Sequence, residues 1–366
     1  MLISTQTAST PTVECFVQLW AERYALDFSS VFCEQDPSVY NSLLEASSLE
    51  GKALTVSKLR EAIVDTKCQF AGIQAKALYE YIPNVVDLSE ARRLTHFTVQ
   101  VYIELLELYQ QPSSATSSVE EKLQTLAGMT PINHSLLSVW GIPDIEDLAK
   151  ALEGVLLECQ EQYTASKDWC TLGFLTTQFN FSNQLLLKKL TPIEQILIYP
   201  YFRFIEEQVA IPWQRVCIAV AKHELDSPAF TIVKEMFPAA SDIARTVYHQ
   251  LTEMFPDYRS RRGGFDHPGV EHSCLRDLQM FQAYLWLCVL EKSFAPVEKE
   301  LVNLCVMVME RVGVPWEITA QWNKLLLDEI SRRVKPEQRS FLLPYISGMQ
   351  EAFYEQRSHF TVNSEQ

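Results

Sequence analysis

Apolar residues recur at helical spacing along nearly all of this 366-residue chain, and strand-like alternation is almost missing. That pattern confines the fold to the all-α class. Segments 57–82, 89–109, 144–163, 191–208, 239–254, 273–292, 297–312 and 316–334 each carry an apolar helical face. Ile73, Ala77, Phe97, Val101 and Leu105 should face one core, and Leu278, Leu285, Val289, Leu301 and Val308 a second. Gly141-Ile142-Pro143 and Gly313-Val314-Pro315 read as turns, because proline pushes the residue before it out of helical geometry. The length suffices for two ordinary domains.

An internal repeat bears on the architecture. Ala62-Ile63-Val64 and Ala75-Lys76-Ala77-Leu78-Tyr79 align with Thr231-Ile232-Val233 and Ala244-Arg245-Thr246-Val247-Tyr248 in one register. Further on, Ser89 to Phe97 aligns with Ser273 to Phe281, and Gly141-Ile142-Pro143 with Gly313-Val314-Pro315. The register shifts between blocks, as loop insertions require, and the polar stretch Gln110 to Ser118 reads as one such insertion. The blocks keep the same order, which favours duplication over chance likeness of amphipathic helices. In this alignment Glu90 stands opposite Cys274 and Arg93 opposite Asp277.

The densest chemistry lies in Cys274-Leu275-Arg276-Asp277-Leu278, just after the basic loop Arg259-Ser260-Arg261-Arg262-Gly263-Gly264. A thiol stands one helical turn from a carboxylate, with an arginine between them. Such a set can hold a linear tetrapyrrole: the thiol adds across a vinyl or ethylidene group, the carboxylate accepts from pyrrole N–H groups, and arginines pair with propionates. It resembles the bilin attachment site of the phycobiliproteins, the allophycocyanin alpha chain in particular. Leu190-Thr191-Pro192-Ile193-Glu194, Ala295-Pro296-Val297-Glu298-Lys299 and Gly313-Val314-Pro315 are similar to that family's helix start and interhelical turns, so the likeness covers about residues 185–350. Three positions depart from the family: Met280 where it usually has an aromatic residue, Ala283 for arginine and Leu287 for tyrosine.

The resemblance implies an all-α chain of tandem globin-like phycobilisome domains. A diverged copy without the bilin cysteine would span 12–165, a packed connector 166–188, the copy with the attachment motif 189–352 and a flexible tail 353–366. It implies a phycocyanobilin-type linear tetrapyrrole on Cys274, with Asp277 on the pyrrole nitrogens and Arg276, Arg261 and Arg262 on the propionates. Phycobilisome subunits or basic linker proteins would be the partners. The function implied is non-enzymatic, in antenna assembly, attachment or regulation. A pigment-free scaffold or sensor acting through protein contacts stays open, as does a sensor globin holding haem or a fatty acid.

The competing readings are structural. Cys274 reads equally as a small buried residue near a helix start, where the macrodipole and Arg276 would favour the thiolate. Asp277 reads as a first-turn acid, Arg276 as a surface ion pair, and Arg259, Arg261 and Arg262 as a solvated loop. His267, His272 and Cys274 give three metal-capable ligands where a structural zinc site wants four. His96 and His134 are the histidines a haem reading would use. Glu206-Glu207 and Glu120-Glu121 read as neighbours on solvated helix faces, not as an acid/base pair, and no phosphate loop, GxSxG or HExxH motif occurs.

A net charge of −15 argues against nonspecific nucleic-acid binding, which needs clustered cations. Nine cysteines without a CxxC pair suggest buried, reduced thiols in a cytosolic compartment. No apolar run approaches the ~20 residues of a membrane span, and Met1 to Pro11 lacks the pattern of a signal peptide. The expectation is a cytoplasmic protein, compatible with peripheral association at the thylakoid surface.

Overall fold

The computed structural model describes residues 10–24, 37–79, 87–111, 148–149, 151–152, 154–156, 169–309 and 313–363. These are almost entirely helical. In chain order the α-helices are α1 Pro11–Glu22, α2 Pro37–Ser47, α3 Leu49–Lys58, α4 Glu61–Tyr79, α5 Leu88–Tyr109, α6 Trp169–Leu187 and α7 Pro192–Ala210. They continue with α8 Trp213–Val220, α9 Pro228–Met236, α10 Ala240–Met254, α11 Pro268–Glu291, α12 Val302–Met309, α13 Trp316–Arg333 and α14 Pro336–Asn363. Strands β1 Arg259–Ser260 and β2 Gly263–Gly264 pair antiparallel between α10 and α11.

Several helix ends follow from local chemistry. Thr191 caps α7, its side chain accepting from the Glu194 N–H while the Glu194 carboxylate accepts from the Thr191 N–H. This reciprocal box satisfies two otherwise orphaned donors, and Pro192 sits where a missing N–H costs nothing. Helix α13 starts at Trp316, directly after Gly313-Val314-Pro315, where the sequence placed a turn. Gly313 there has φ +77, a left-handed conformation that L side chains rarely adopt. Its carbonyl accepts from the Tyr258 hydroxyl at 2.9 Å, tying this turn to the hairpin region.

Three expectations are corrected, and one is refined. Segment 57–82 is two helices, because α3 ends at Lys58 and α4 starts at Glu61. The expected connector is largely a 19-residue helix, α6, with Phe174 and Phe179 fully buried. The polar tail is helical through Asn363. Ile73 is 65% exposed and Ala77 is exposed too, so the apolar face of α4 is carried by Val64, Cys68, Ala71 and Ala75.

Where two cores were expected, the buried apolar residues form one connected cluster from Val13 to Phe353. Helix α6 joins the halves by packing on α4, α5, α7 and α12. Helix α11, buried along most of its length, packs on α7, α8, α10 and α14. The repeat alignment meets unequal structure: residues 62–79 lie in one helix, whereas 231–248 run through α9, a 3₁₀ turn at Phe237–Ala239 and α10. Segment 144–163 is helical where described, while Gly141-Ile142-Pro143, His134, Glu120-Glu121 and most of the 110–118 loop lie outside the described residues.

Candidate functional site

The hairpin and the first turns of α11 bring the motif residues to one place. Ser260-Arg261-Arg262-Gly263 makes a two-residue turn between β1 and β2, with φ +127 at Gly263, a value suited to glycine. The Ser260 hydroxyl donates to the Gly263 carbonyl at 3.0 Å, closing the turn. Arg262 then points back toward α11: its Nη1 donates to Ser273 Oγ at 2.7 Å, and its guanidinium lies 5.1 Å from the Phe181 ring centroid. Arg261 packs along Gly313, and Arg259 is exposed, 4.0 Å from Asp266.

Helix α11 begins at Pro268, five residues earlier than the sequence indicated, with His267 as its N-cap accepting from the Gly269 N–H at 3.1 Å. Cys274 therefore sits in the second turn, not at the N-terminus, and is only 7% exposed. Burial pushes its thiol up, the Asp277 charge adds to this, and the Arg276 and Arg262 charges oppose it only in part. The expected thiolate is not favoured at rest. Desolvation outweighs the dipole because the effect of the helix end falls off within about the first turn.

Arg276 is not a surface residue. Its Nε and Nη2 both donate to Asp277 Oδ1, at 3.0 and 2.7 Å, and its Nη1 donates to Glu206 Oε1 at 3.4 Å. Glu206, on α7, is 3% exposed, and the expectation of a solvated face for Glu206-Glu207 is wrong for both. Glu206 also accepts from His272 Nε2 at 2.8 Å, Asn183 Nδ2 at 2.9 Å and Asn180 Nδ2 at 3.3 Å. Asn183 in turn accepts from the Tyr102 hydroxyl at 2.5 Å, so the network runs from α5 through α6 and α7 to α11. His272 is thus a carboxylate partner, and among the described residues no group of three or more His, Cys, Asp and Glu side chains gathers as metal ligands.

The second carboxylate turns to another partner set. Glu207 takes two hydrogen bonds from Arg23, at 3.0 and 3.1 Å, one from Arg203 at 2.8 Å and one from the Tyr24 hydroxyl at 2.8 Å. Burial alone would raise both carboxyls. For Glu206 the His272 and Arg276 charges, and for Glu207 the Arg203 and Arg23 charges, reverse this and hold each down to about 2. A carboxyl lowered on folding stabilises above its unfolded pKa, near ~4.3, and the contribution disappears as pH falls through the folded value. The melting temperature should therefore fall steadily between about pH 4.5 and 2. Glu206→Gln should flatten that acid limb; an unchanged limb in the variant would contradict the assignment.

Cys274, Arg262, Arg276 and Asp277 line one mostly apolar cavity, walled also by Leu172, Met280, Cys305, Val308, Ile318 and Trp322. Its volume is about 120 Å³, or about 1040 Å³ of atom-free space with its open mouth included. Arg261 is not on its wall, nor are Ala283 and Leu287, which are fully buried in the core. Trp322 brings a buried indole N–H that has no hydrogen-bond partner. Nothing local in the sequence marks Trp322, Glu206, Asn180 or Asn183, which reach the site from α13, α7 and α6.

Residues 226–353 match a family model described as Phycobilisome protein. This stretch is similar to the phycobilisome proteins. It spans α9, α10, the hairpin, α11 to α13 and most of α14, and so holds every charged residue of the cavity wall. No curated protein and no solved structure matches the chain. The all-α, globin-like fold agrees with the family, and no described helix is long and apolar enough to cross a membrane.

The phycobilisome family implies a linear tetrapyrrole, and the cavity wall fits one in kind. It offers a thiol, the Asp277 Oδ2 oxygen left outside the Arg276 contact, a guanidinium on Arg262 and the unpartnered Trp322 N–H. In size the enclosed part lies below the ~300–1,000 Å³ of ordinary ligand pockets, so a four-ring group needs the mouth as well.

Proposed function

We propose that this is a non-enzymatic, phycobilisome-related protein that holds one linear tetrapyrrole on Cys274 and acts in antenna assembly, attachment or regulation. The observation that carries this is the convergence of Cys274, Arg276, Asp277 and Arg262 on one cavity wall inside the family domain. When bound, such a group supplies absorption of visible light. Arg276, held between Glu206 and Asp277, would fix the Asp277 carboxylate for pyrrole N–H groups, and Arg262 would pair with a propionate. Cys274 supplies the thioether sulfur. Because burial keeps that thiol protonated, attachment calls for a lyase that draws out its proton. The acidic chain suits phycobilisome subunits or basic linkers as partners, at the cytoplasmic face of a thylakoid membrane.

A pigment-free scaffold has one observation in its favour. Ala283 and Leu287, at the positions of the family's arginine and tyrosine, are sealed in the core and add nothing to the wall. Co-expression with a bilin-synthesis pathway and a lyase separates the readings. Denaturing electrophoresis should show a zinc-enhanced fluorescent band that Cys274→Ala abolishes. A folded protein without that band, across several bilins and lyases, would establish the scaffold instead.

A further inference from the structure

Arg262 and Arg276 bring two guanidinium groups to the wall of the Cys274 cavity, and their surroundings differ. Arg276 is engaged by two carboxylates, Asp277 and Glu206. Arg262 meets two neutral acceptors, the Ser273 hydroxyl at 2.7 Å and the Asn180 Oδ1 oxygen at 3.4 Å, and neither contact cancels its charge. Ser273 gives its own proton to the Gly269 carbonyl at 2.9 Å, so toward Arg262 its oxygen only accepts. The Phe181 ring, its centroid 5.1 Å from the guanidinium, lies within the reach of a cation–π contact. A Cβ built on Gly269 would stand 3.1 Å from Arg262 Nη2, so the first turn of α11 closes on the same group.

Asn180 and Phe181 both belong to α6, outside the stretch 226–353. Asn180 is 1% exposed, and its amide has one workable orientation. Oδ1 accepts from Arg262 and from Gln184 Nε2 at 3.3 Å, while Nδ2 donates to Glu206 Oε1 at 3.3 Å. Turned over, it would set an NH2 group against a guanidinium that only donates and an oxygen against a carboxylate that only accepts. The same Glu206 oxygen accepts from Arg276 Nη1, so one side chain of α6 links both arginines of the cavity wall. We propose that Asn180 and Phe181 are positioning residues that fix Arg262 as the carboxylate-recognising group of this cavity. The proposal rests on the tetrapyrrole reading and deepens it: the propionates are selected by Arg262, held from α6, and not by Arg276, whose charge is met by Asp277 and Glu206. An arginine already held in place need not be ordered when a ligand binds, which lowers the cost of binding.

The test compares biliverdin with its dimethyl ester, in which both carboxylates are masked. Each is titrated by absorbance into the full chain carrying Cys274→Ala, so that binding stays reversible. The free acid should bind at least about tenfold more tightly than the ester, the scale of one charge-assisted hydrogen bond. Arg262→Gln should remove that preference. Phe181→Leu and Asn180→Leu should each cut it by about threefold or more while the ester's own affinity stays within about twofold. Phe181→Tyr, which keeps the aromatic face, should retain the preference. Phe181 is only partly buried and keeps the test valid if Asn180→Leu fails to fold. An undiminished preference in Phe181→Leu would overturn the proposal. So would equal losses for acid and ester, because a merely structural role moves both probes alike. Equal binding of the two probes by the starting protein would overturn it as well, with the tetrapyrrole reading intact. Saturable binding of neither probe would overturn both together.

Discussion

Glu206→Ala should cost about 3–5 kcal/mol of folding stability, the range for removing one partner of a buried ion pair. The variant strips His272 of its carboxylate partner and Arg276 of one of its two, and takes the common acceptor from Asn180 and Asn183. Arg276 keeps Asp277, so the loss should fall short of what an isolated buried guanidinium would suffer. Glu206→Gln keeps shape and part of the hydrogen bonding and should cost less. Chemical denaturation of the three proteins at pH 7 gives the comparison. Tolerance of alanine within about 0.5 kcal/mol, the level of an ordinary surface substitution, would contradict a buried ion pair at Glu206. The same variant should also impair tetrapyrrole attachment, because Arg276 then loses the anchor that fixes it against Asp277.

Arg23→Ala should cost about 3 kcal/mol, again by breaking a buried pair. Arg23 and Glu207 have side chains only 5% and 6% exposed, and the guanidinium lies 5.0 Å from the Trp213 ring centroid while also reaching Gln279. Through it α1 is fastened to α7, α8 and α11, alongside Phe16 against Phe237 and Trp20 against Phe204. Arg23→Lys should recover little of the loss, since lysine offers neither the two-pronged contact nor the stacking plane. Thermal melts of both variants decide this. A lysine variant as stable as the natural protein would show that only the charge matters there.

The legibility of the sequence varied with the range of the interaction. Helices such as α5, α7 and α13 were readable within a residue or two, because periodicity, the Thr191–Glu194 box and the Gly313–Pro315 turn are local signals. Helix α6 was read as a packed connector, since an element buried on nearly all sides shows no polar face to give a period. The cavity wall was partly legible: Cys274, Arg276, Asp277 and Arg262 meet as the motif suggests, while Arg261 turns to Gly313. Burial of Glu206 and Glu207 was misread for a definite reason. Two adjacent glutamates on a helix look solvated until the partners are known, and those partners lie 66 residues away at His272 and 184 away at Arg23. The burial of Cys274, which pushes its thiol up, was hidden likewise, because the helix starts more than one turn earlier, at the His267 cap.

The most direct measurement is the mass of the tryptic peptide from Gly263 to Arg276, taken from protein co-expressed with a bilin pathway and a lyase. That peptide contains a single cysteine, Cys274. A gain equal to one linear tetrapyrrole is expected on this peptide and on no other. A gain on a peptide carrying a different cysteine, or an unmodified peptide from folded protein under every lyase tried, would contradict it.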